Sequence, residues 1–146
     1  MTLYAYQDKD YVWLCYSVPD GSFGSLDLKI ETAALAKPLN LHVSAQLGEW
    51  FADEAPPADA ESPRWWNHHG WTAYWVRFNG LDANEKPARA RFRLGGAREL
   101  QLSRNRFGAG EWWLVFDLNG VRSPHATQGH LRYPVDGTYR VPPVPR

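Results

Sequence analysis

Polar and apolar residues alternate with a period of two along much of the chain. In residues 25–31 the side chains of Leu26, Leu28 and Ile30 fall on one side, and polar side chains fall on the other. Residues 39–47 repeat the pattern, with an apolar residue at every odd-numbered position. Alternation of this kind is typical of strands with one face on a core and the other toward solvent or a ligand.

Other segments have the same period or are rich in β-branched and aromatic residues, and turn signals such as Asn119-Gly120 bound them. These further predicted strands are residues 11–18, 71–78, 88–94, 97–102, 111–118, 131–133 and 138–141. Only residues 32–37 look helical, for one or two turns at most. About eight to ten strands at this spacing predict an all-β fold, an antiparallel sandwich of jelly-roll type.

The length of the chain, 146 residues, favours one domain. We predict that residues 1–141 form this domain and that the proline-rich residues 142–146 form an extended arm. Residues 52–63 are acidic and rich in proline. They predict a surface loop that continues to residue 69 and lies over one end or face of the sandwich.

The formal net charge is zero, because 16 Lys and Arg balance 16 Asp and Glu. This balance argues against nucleic acid as a partner. No apolar run approaches the ~18 residues of a membrane-spanning helix, so we expect no membrane partner. With no secretory signal and one cysteine, Cys15, the pattern predicts a cytoplasmic protein. Cys15 lies in an apolar run and is expected to be buried and unreactive.

Familiar catalytic motifs do not occur in the sequence, which has no G-x-x-x-x-G-K-[ST], G-x-S-x-G or H-E-x-x-H. Two carboxyl groups across a cleft could hydrolyse a glycosidic bond. The candidates for such a pair include Asp27, Glu31, Glu49 and Glu111. Acidic residues are common in this chain and do not single out an enzyme, so we predict no catalytic residues.

Histidines offer the only candidate metal ligands of note. They are His68, His69, His125 and His130. Adjacent histidines on a strand point to opposite faces, so His68 and His69 could share a metal only from a loop. Zinc ligands usually have tighter spacing. We therefore predict no metal and no cofactor, and keep a small histidine-based metal protein or enzyme as the second alternative.

Arginines recur in the second half of the chain. Arg89, Arg91 and Arg93 would share one strand face, and Arg98, Arg104 and Arg106 follow. Such a stripe could bind an anionic polymer through bidentate contacts. The interpretation we favour is a charged solvent face that protects the sheet from aggregation.

Eight tryptophans are the strongest functional signal. Trp13, Trp75 and Trp112 lie in predicted strands and are expected in the core. Trp112 and Trp113 are neighbours, as are Trp65 and Trp66, so one ring of each pair points away from the core if the strand is regular. An exposed indole marks a binding surface and suits the C–H face of a pyranose. The competing interpretation, equally weighted, is that large aromatics simply fill the interior.

These signals lead to a non-catalytic carbohydrate-binding module as the predicted function. The rings expected to stack on sugar are Trp65, Trp66 and Trp71. The side chains expected to bind sugar hydroxyls are His42, Gln46, Arg64 and His68, with Ser44 and Asn67 as further polar candidates. The first alternative is a protein-interaction or oligomerisation sandwich that uses the proline-rich arm and exposed tryptophans.

Residues 8–20 read DKDYVWLCYSVPD, an acidic turn followed by an aromatic and aliphatic strand that ends in Pro-Asp. This segment resembles a strand of family-9 carbohydrate-binding modules and related DOMON-like domains, and residues 25–31 resemble the strand that follows it there. The resemblance implies a β-sandwich that binds sugar between aromatic rings or, in other branches, haem. It transfers no site residue, because those rings do not align with particular tryptophans. Haem would require an axial His or Met, and the only methionine is Met1.

Overall fold

A computed structural model describes residues 1–44, 47–62, 64–67, 75–78 and 96–144, with the backbone alone at 66–67, 75–78 and 96. These ranges contain eleven strands, more than the sequence pattern predicts. The strands are β1 (Thr2–Gln7), β2 (Tyr11–Val18), β3 (Ser25–Thr32), β4 (Leu39–Val43), β5 (Leu47–Phe51), β6 (Trp65–Asn67), β7 (Trp75–Phe78), β8 (Gly96–Ser103), β9 (Trp112–Asn119), β10 (Leu131–Tyr133) and β11 (Tyr139–Val141).

The strands form two sheets. The first sheet has the order β1-β2-β8-β7 and is antiparallel except for the parallel pair β7–β8. The second sheet has the order β10-β9-β3-β4-β5-β6 and is antiparallel throughout, with β11 paired to β9 beside β10. This architecture confirms the predicted all-β, sandwich-like fold class, whereas the jelly-roll type stays a prediction.

The interior between the sheets is built from the apolar half of each alternating strand. Leu26, Leu28 and Ile30 of β3 have no exposed surface. Strands β2 and β9 contribute inward side chains in the same way, and all of them belong to one cluster of buried apolar residues. Burying one such aliphatic side chain stabilises the fold by ~1.5–3 kcal/mol, so the period-two pattern decides which face of each strand points inward.

The single strand predicted over residues 39–47 is wrong, because Leu39–Val43 and Leu47–Phe51 are two separate strands. The chain leaves β4 at Val43 and resumes as β5 at Leu47, and the two strands pair antiparallel, with Leu41 opposite Glu49. Alternating apolar residues are compatible with one long strand or with a hairpin. The hairpin is formed because it satisfies the backbone N–H and C=O groups of both arms.

The helical segment lies elsewhere than predicted. Thr32 is the last residue of β3 and residues 33–37 form turns and bends, whereas the one helix within the described residues, α1 (Arg104–Phe107), follows β8. Ser103 caps α1, and its Oγ accepts the Asn105 N–H at 3.2 Å. Four residues are too few for a helical period to be recognised in the sequence. In the described ranges, no helix is long and apolar enough to cross a membrane.

Two arginines of the predicted basic stripe are buried. Arg98 is 1% exposed and Arg104 is 4% exposed, so the predicted solvent face is wrong at both positions. Each guanidinium group reaches backbone carbonyls far along the chain. Arg98, for example, donates from Nη2 to the Phe23 carbonyl at 2.7 Å. Arg89, Arg91 and Arg93 lie outside the described residues.

The outer face of the first sheet corrects two further predictions. Trp13 is half-exposed, not in the core, because Val12 and Leu14 take the inward positions on β2. Cys15 lies on the same face and is only half-buried. Burial and the neighbouring Glu99 carboxylate raise the pKa of the Cys15 thiol, which favours its protonated form.

Strand β1 was not predicted from the sequence pattern. It pairs antiparallel with β2, from Thr2 opposite Ser17 to Gln7 opposite Val12. Its side chains are mostly exposed, so no apolar alternation identifies it. Tyr4 and Tyr6, on the same face as Trp13, are 64% and 66% exposed.

The proline-rich arm contacts the rest of the chain at its first residues. The Pro142 carbonyl accepts a hydrogen bond from Arg104 Nη2 at 3.0 Å. The Val144 N–H donates to the Ala109 carbonyl at 3.1 Å. These two bonds dock the beginning of the arm beside the segment that follows α1.

Candidate functional site

One row of residues crosses the outer face of the second sheet. From β10 to β6 its cross-strand partners are Arg132, Asp117, Asp27, His42, Gly48 and Trp65. Directly opposed residues of an antiparallel sheet lie on the same face. The row therefore lies on the face opposite to the core side chains of β3, and strand pairing brings Asp27 against His42.

The Asp27 carboxylate is the hydrogen-bond acceptor at the centre of this row. Its Oδ1 accepts from Asn40 Nδ2 at 2.8 Å and lies 2.8 Å from His42 Nδ1. Burial raises the pKa of Asp27, but the hydrogen bond and charge interaction with His42 and the bond from Asn40 outweigh it. The pKa is therefore held below the ordinary 3.8. Asp27 is ionised at neutral pH.

An ionised Asp27 fixes the position of the proton on the His42 ring. A carboxylate has no proton to donate, so Nδ1 carries the hydrogen that joins the ring to Asp27. In the neutral ring Nε2 is then an acceptor, and it lies 2.8 Å from Ser44 Oγ. In that tautomer the Ser44 hydroxyl donates to Nε2. The three side chains form a directed hydrogen-bond chain, Ser44–His42–Asp27.

Two indoles enclose the His42 ring. The Trp50 centroid lies 5.6 Å from the imidazole centroid, and the Trp65 centroid lies 5.5 Å away in an edge-on arrangement. The two indoles also meet edge to face at 5.4 Å. Trp50 is buried, and Trp65 is half-buried. We call the set of Asp27, His42, Ser44, Trp50 and Trp65 the His42 cluster.

The Trp65 ring lies directly on the backbone of β5 at Gly48. A Cβ atom at position 48 would come within 2.7 Å of Trp65 Cε3 and 2.9 Å of Cζ3. Real Cβ atoms do not approach other atoms so closely, so the absence of a side chain lets the ring seat here. Because Trp65 is only half-buried, its other surface is available to solvent or a ligand.

The structure brings together two of the predicted ligand-binding residues, His42 and Trp65. Arg64 is exposed, and its Nη1 donates to Glu54 Oε2 at 3.0 Å, so its side chain binds the acidic loop. Trp66 is described only as backbone within β6. Gln46, His68 and Trp71 lie outside the described residues. Their roles stay predictions.

Sequence reasoning did not single out Trp50. It lies two positions after Gly48, and residues two apart on a strand share a face, so a strand at Leu47–Phe51 would have placed it beside His42. Asp27 was considered only as one acid of a glycosidase pair. Its contact with His42 depends on the pairing of β3 with β4, which no local pattern specifies.

Two of the carboxyl groups considered for a glycosidase pair, Asp27 and Glu49, lie on opposite faces of the second sheet. Asp27 lies on the outer face of the second sheet, whereas Glu49 opposes the buried Leu41 on the inner face. Glu49 Oε1 lies 2.5 Å from Arg106 Nη2. These two acids therefore cannot flank one glycosidic bond across a cleft.

Only some of the histidines considered as metal ligands lie within the described residues. His130 Nε2 lies 3.0 Å from Asp117 Oδ1, and both side chains are substantially exposed. Among the described residues, no three His, Cys, Asp or Glu side chains are grouped so that they could hold a metal ion. His68 and His69 lie outside this part of the chain.

The depressed pKa of Asp27 predicts a contribution to stability that depends on pH. The ionised group stabilises the fold above the unfolded pKa of about 3.9, and this contribution is lost as pH falls through the lower folded pKa. We expect Asp27→Asn to be less stable than the wild type at pH 6, with the difference shrinking below pH ~4. Urea unfolding at a series of pH values measures the difference in the free energy of unfolding between Asp27→Asn and the wild type.

The matched control for this experiment is Asp53→Asn, which removes an exposed carboxylate paired with Lys37 at 3.1 Å. An exposed pair of this kind contributes little to stability, so its variant should follow the wild type at each pH. A stability difference between Asp27→Asn and the wild type that stays constant from pH 6 to pH 2 would contradict the expectation.

Comparisons of the chain with protein-family models, with curated proteins and with solved structures found no match. Function is therefore inferred from the residues of the His42 cluster and their contacts.

Proposed function

We propose that this protein binds carbohydrate and that the His42 cluster forms the sugar site. The observation that carries the proposal is the Trp65 ring, seated against Gly48 and half-buried, next to a row of polar side chains. An aromatic surface flanked by a few placed polar groups is the usual composition of a small-molecule site. A pyranose matches it because the sugar has an apolar C–H face and hydroxyl groups around its edge.

The polar side of the site has an acceptor to offer to a hydroxyl group. Asp27 Oδ1 already accepts from Asn40 and His42, whereas Oδ2 has no hydrogen bond within the described residues. Oδ2 is thus available to a sugar hydroxyl, and a bond to an ionised carboxylate is stronger than a neutral one. The predicted contributions of Gln46, Trp66, His68 and Trp71 belong to the same proposal.

Replacement of Trp65 by alanine should weaken sugar binding by about tenfold or more, since losing one stacking ring costs about 1.4 kcal/mol or more. Titration calorimetry against a panel of monosaccharides, oligosaccharides and polysaccharides first identifies the class that binds the wild type. The same titration with Trp65→Ala then gives the change in Kd. Circular dichroism confirms that the variant is folded.

The matched control is Trp13→Ala, which removes a half-exposed indole from the other sheet. Its affinity for sugar should equal that of the wild type. If no saturable sugar binding is found in a broad panel, the proposal fails. If binding is lost in Trp13→Ala and kept in Trp65→Ala, the His42 cluster is not the sugar site.

The first sheet favours the protein-interaction alternative. Edge strand β1 places the exposed rings of Tyr4 and Tyr6 beside Trp13 on one face. Exposed aromatic residues are enriched at protein interfaces. Sedimentation at increasing concentration distinguishes the two functions, because self-association through this face needs no sugar and is disrupted by Tyr6→Lys.

A further inference from the structure

The Ser44–His42–Asp27 chain has a chemical consequence beyond sugar binding. We infer that Ser44 is a nucleophile activated by His42 and Asp27, and that this site catalyses acyl transfer from carboxylic esters.

The geometry of the three side chains matches the roles that the reaction requires. Ser44 Oγ lies 2.8 Å from His42 Nε2, and His42 Nδ1 lies 2.8 Å from Asp27 Oδ1. Both distances fall in the range of about 2.6–3.2 Å expected between a nucleophile, its base and the group that orients the base. Serine, histidine and carboxylate act together in this arrangement on unrelated folds, where they are recognised by geometry and not by chain order.

The surroundings hold the base in place. Asn40 Nδ2 donates to Asp27 Oδ1 at 2.8 Å and so orients the carboxylate. Trp50 and Trp65 pack on the imidazole, whose side chain is 18% exposed. Ser44 itself follows the last residue of β4 and is only half-buried. The contact with His42 Nε2 places the Ser44 hydroxyl on the outer face of the sheet.

The reaction uses water as its only co-reactant. Ser44 Oγ attacks the ester carbonyl carbon as its proton passes to His42 Nε2. The bond from the carbonyl carbon to the leaving alcohol oxygen breaks, and that oxygen takes the proton from Nε2. Water then attacks the acyl-serine by the same route, releases the carboxylic acid and restores the Ser44 hydroxyl. Asp27 stays ionised and stabilises the imidazolium that forms in each half of the reaction.

The test uses a biotin-linked fluorophosphonate, which needs no sugar for recognition. Ser44 Oγ displaces fluoride from phosphorus and leaves a stable adduct, which intact mass and peptide mapping detect. We expect one adduct on the wild type, at Ser44, and none on Ser44→Ala. His42→Gln and Asp27→Asn should be labelled about a hundredfold more slowly, because they lose the base or its orientation.

Ser17→Ala is the control, since Ser17 lies on the first sheet opposite Thr2, and this variant should be labelled as the wild type is. Hydrolysis of p-nitrophenyl acetate by the same set of variants gives a second readout and should be lost in Ser44→Ala. The inference is overturned if Ser44 of the folded wild type stays unlabelled while trypsin in the same tube is fully labelled. Equal labelling rates in the wild type, His42→Gln and Asp27→Asn would also overturn it. Neither result depends on whether the protein binds sugar.

Discussion

Replacement of Arg104 by methionine should lower the free energy of unfolding by about 3–5 kcal/mol. The Arg104 guanidinium group is buried and donates to the carbonyls of Gly108, Gly110 and Pro142 and to the side chain of Gln7. Methionine keeps much of the volume but removes the guanidinium donor from the Gly110 and Pro142 carbonyls and the Gln7 side chain, whereas the Gly108 carbonyl still accepts from Trp112 Nε1. A hydrogen bond to a charged group contributes about 1.5–3 kcal/mol, so the loss of several exceeds any gain from removing a buried charge.

The Arg104 side chain also covers the Trp112 ring, with the guanidinium carbon 4.4 Å from the ring centroid. Urea unfolding followed by the fluorescence of the eight tryptophans measures the loss of stability. Arg140→Met is the matched control, because Arg140 is 68% exposed in its side chain and pairs with Glu111 at the surface. Its effect should stay within about 1 kcal/mol. Equal destabilisation by the two variants would contradict the role assigned to Arg104.

Replacement of Gly48 by valine should displace the Trp65 ring and lower the free energy of unfolding by about 1–3 kcal/mol. The new Cβ would lie 2.7 Å from Trp65 Cε3 and 3.0 Å from the Arg64 carbonyl oxygen. The side chain of Trp65 can rotate, but a backbone carbonyl moves only with its strand. Strand β6 must therefore shift away from β5 to relieve the contact.

Because Trp65 forms one wall of the His42 cluster, Gly48→Val should also weaken sugar binding by at least about tenfold. Gly110→Val is the control, since a Cβ at position 110 meets nothing within 4 Å. Urea unfolding and titration calorimetry on the same two variants measure both effects. Wild-type stability and affinity in Gly48→Val would show that Trp65 does not need the space above residue 48.

Urea unfolding measures how much the packing of Trp65 on β5 stabilises the fold, whereas titration calorimetry measures whether Trp65 contributes to sugar binding. Loss of stability in Gly48→Val with sugar binding kept would mean that Trp65 packs on β5 but takes no part in the site. Loss of binding in a variant that still unfolds cooperatively would place the ligand against the displaced ring. The comparison therefore separates the structural role of Trp65 from the proposed functional one.

Local patterns in the sequence correctly predicted which side chains point inward where burial alone decides their orientation. The faces of β3 and β9 follow from alternation, because each apolar side chain is most stable out of water. The prediction that Trp112 and Trp113 point in opposite directions is confirmed, since Trp112 has no exposed surface and Trp113 is half-buried. The prediction that Trp13 lies in the core was wrong, because an indole in an apolar run can occupy either face of the strand when its neighbours fill the core.

The charge of a side chain predicted its exposure less well than alternation predicted burial. A basic side chain is normally solvated, so nothing in the local sequence indicates that Arg98 and Arg104 are buried. Carbonyl oxygens supplied by distant segments make burial favourable, and these segments meet only in the folded chain. Strand β1 was missed for a related reason, because it is defined by its hydrogen bonds to β2 and not by an apolar face of its own.

The sequence by itself determined that this is an all-β protein, which strand faces are apolar, and that His42 and Ser44 are polar positions of one alternating segment, residues 39–47. Tertiary structure alone decided that Asp27 meets His42, that Trp50 and Trp65 enclose the imidazole, and that the ring of Trp65 rests on Gly48. The physical reason is the range of the interactions. Alternation between apolar and polar residues is a local property of one strand, whereas the registers that join β3, β4, β5 and β6 depend on hydrogen bonds between separate segments.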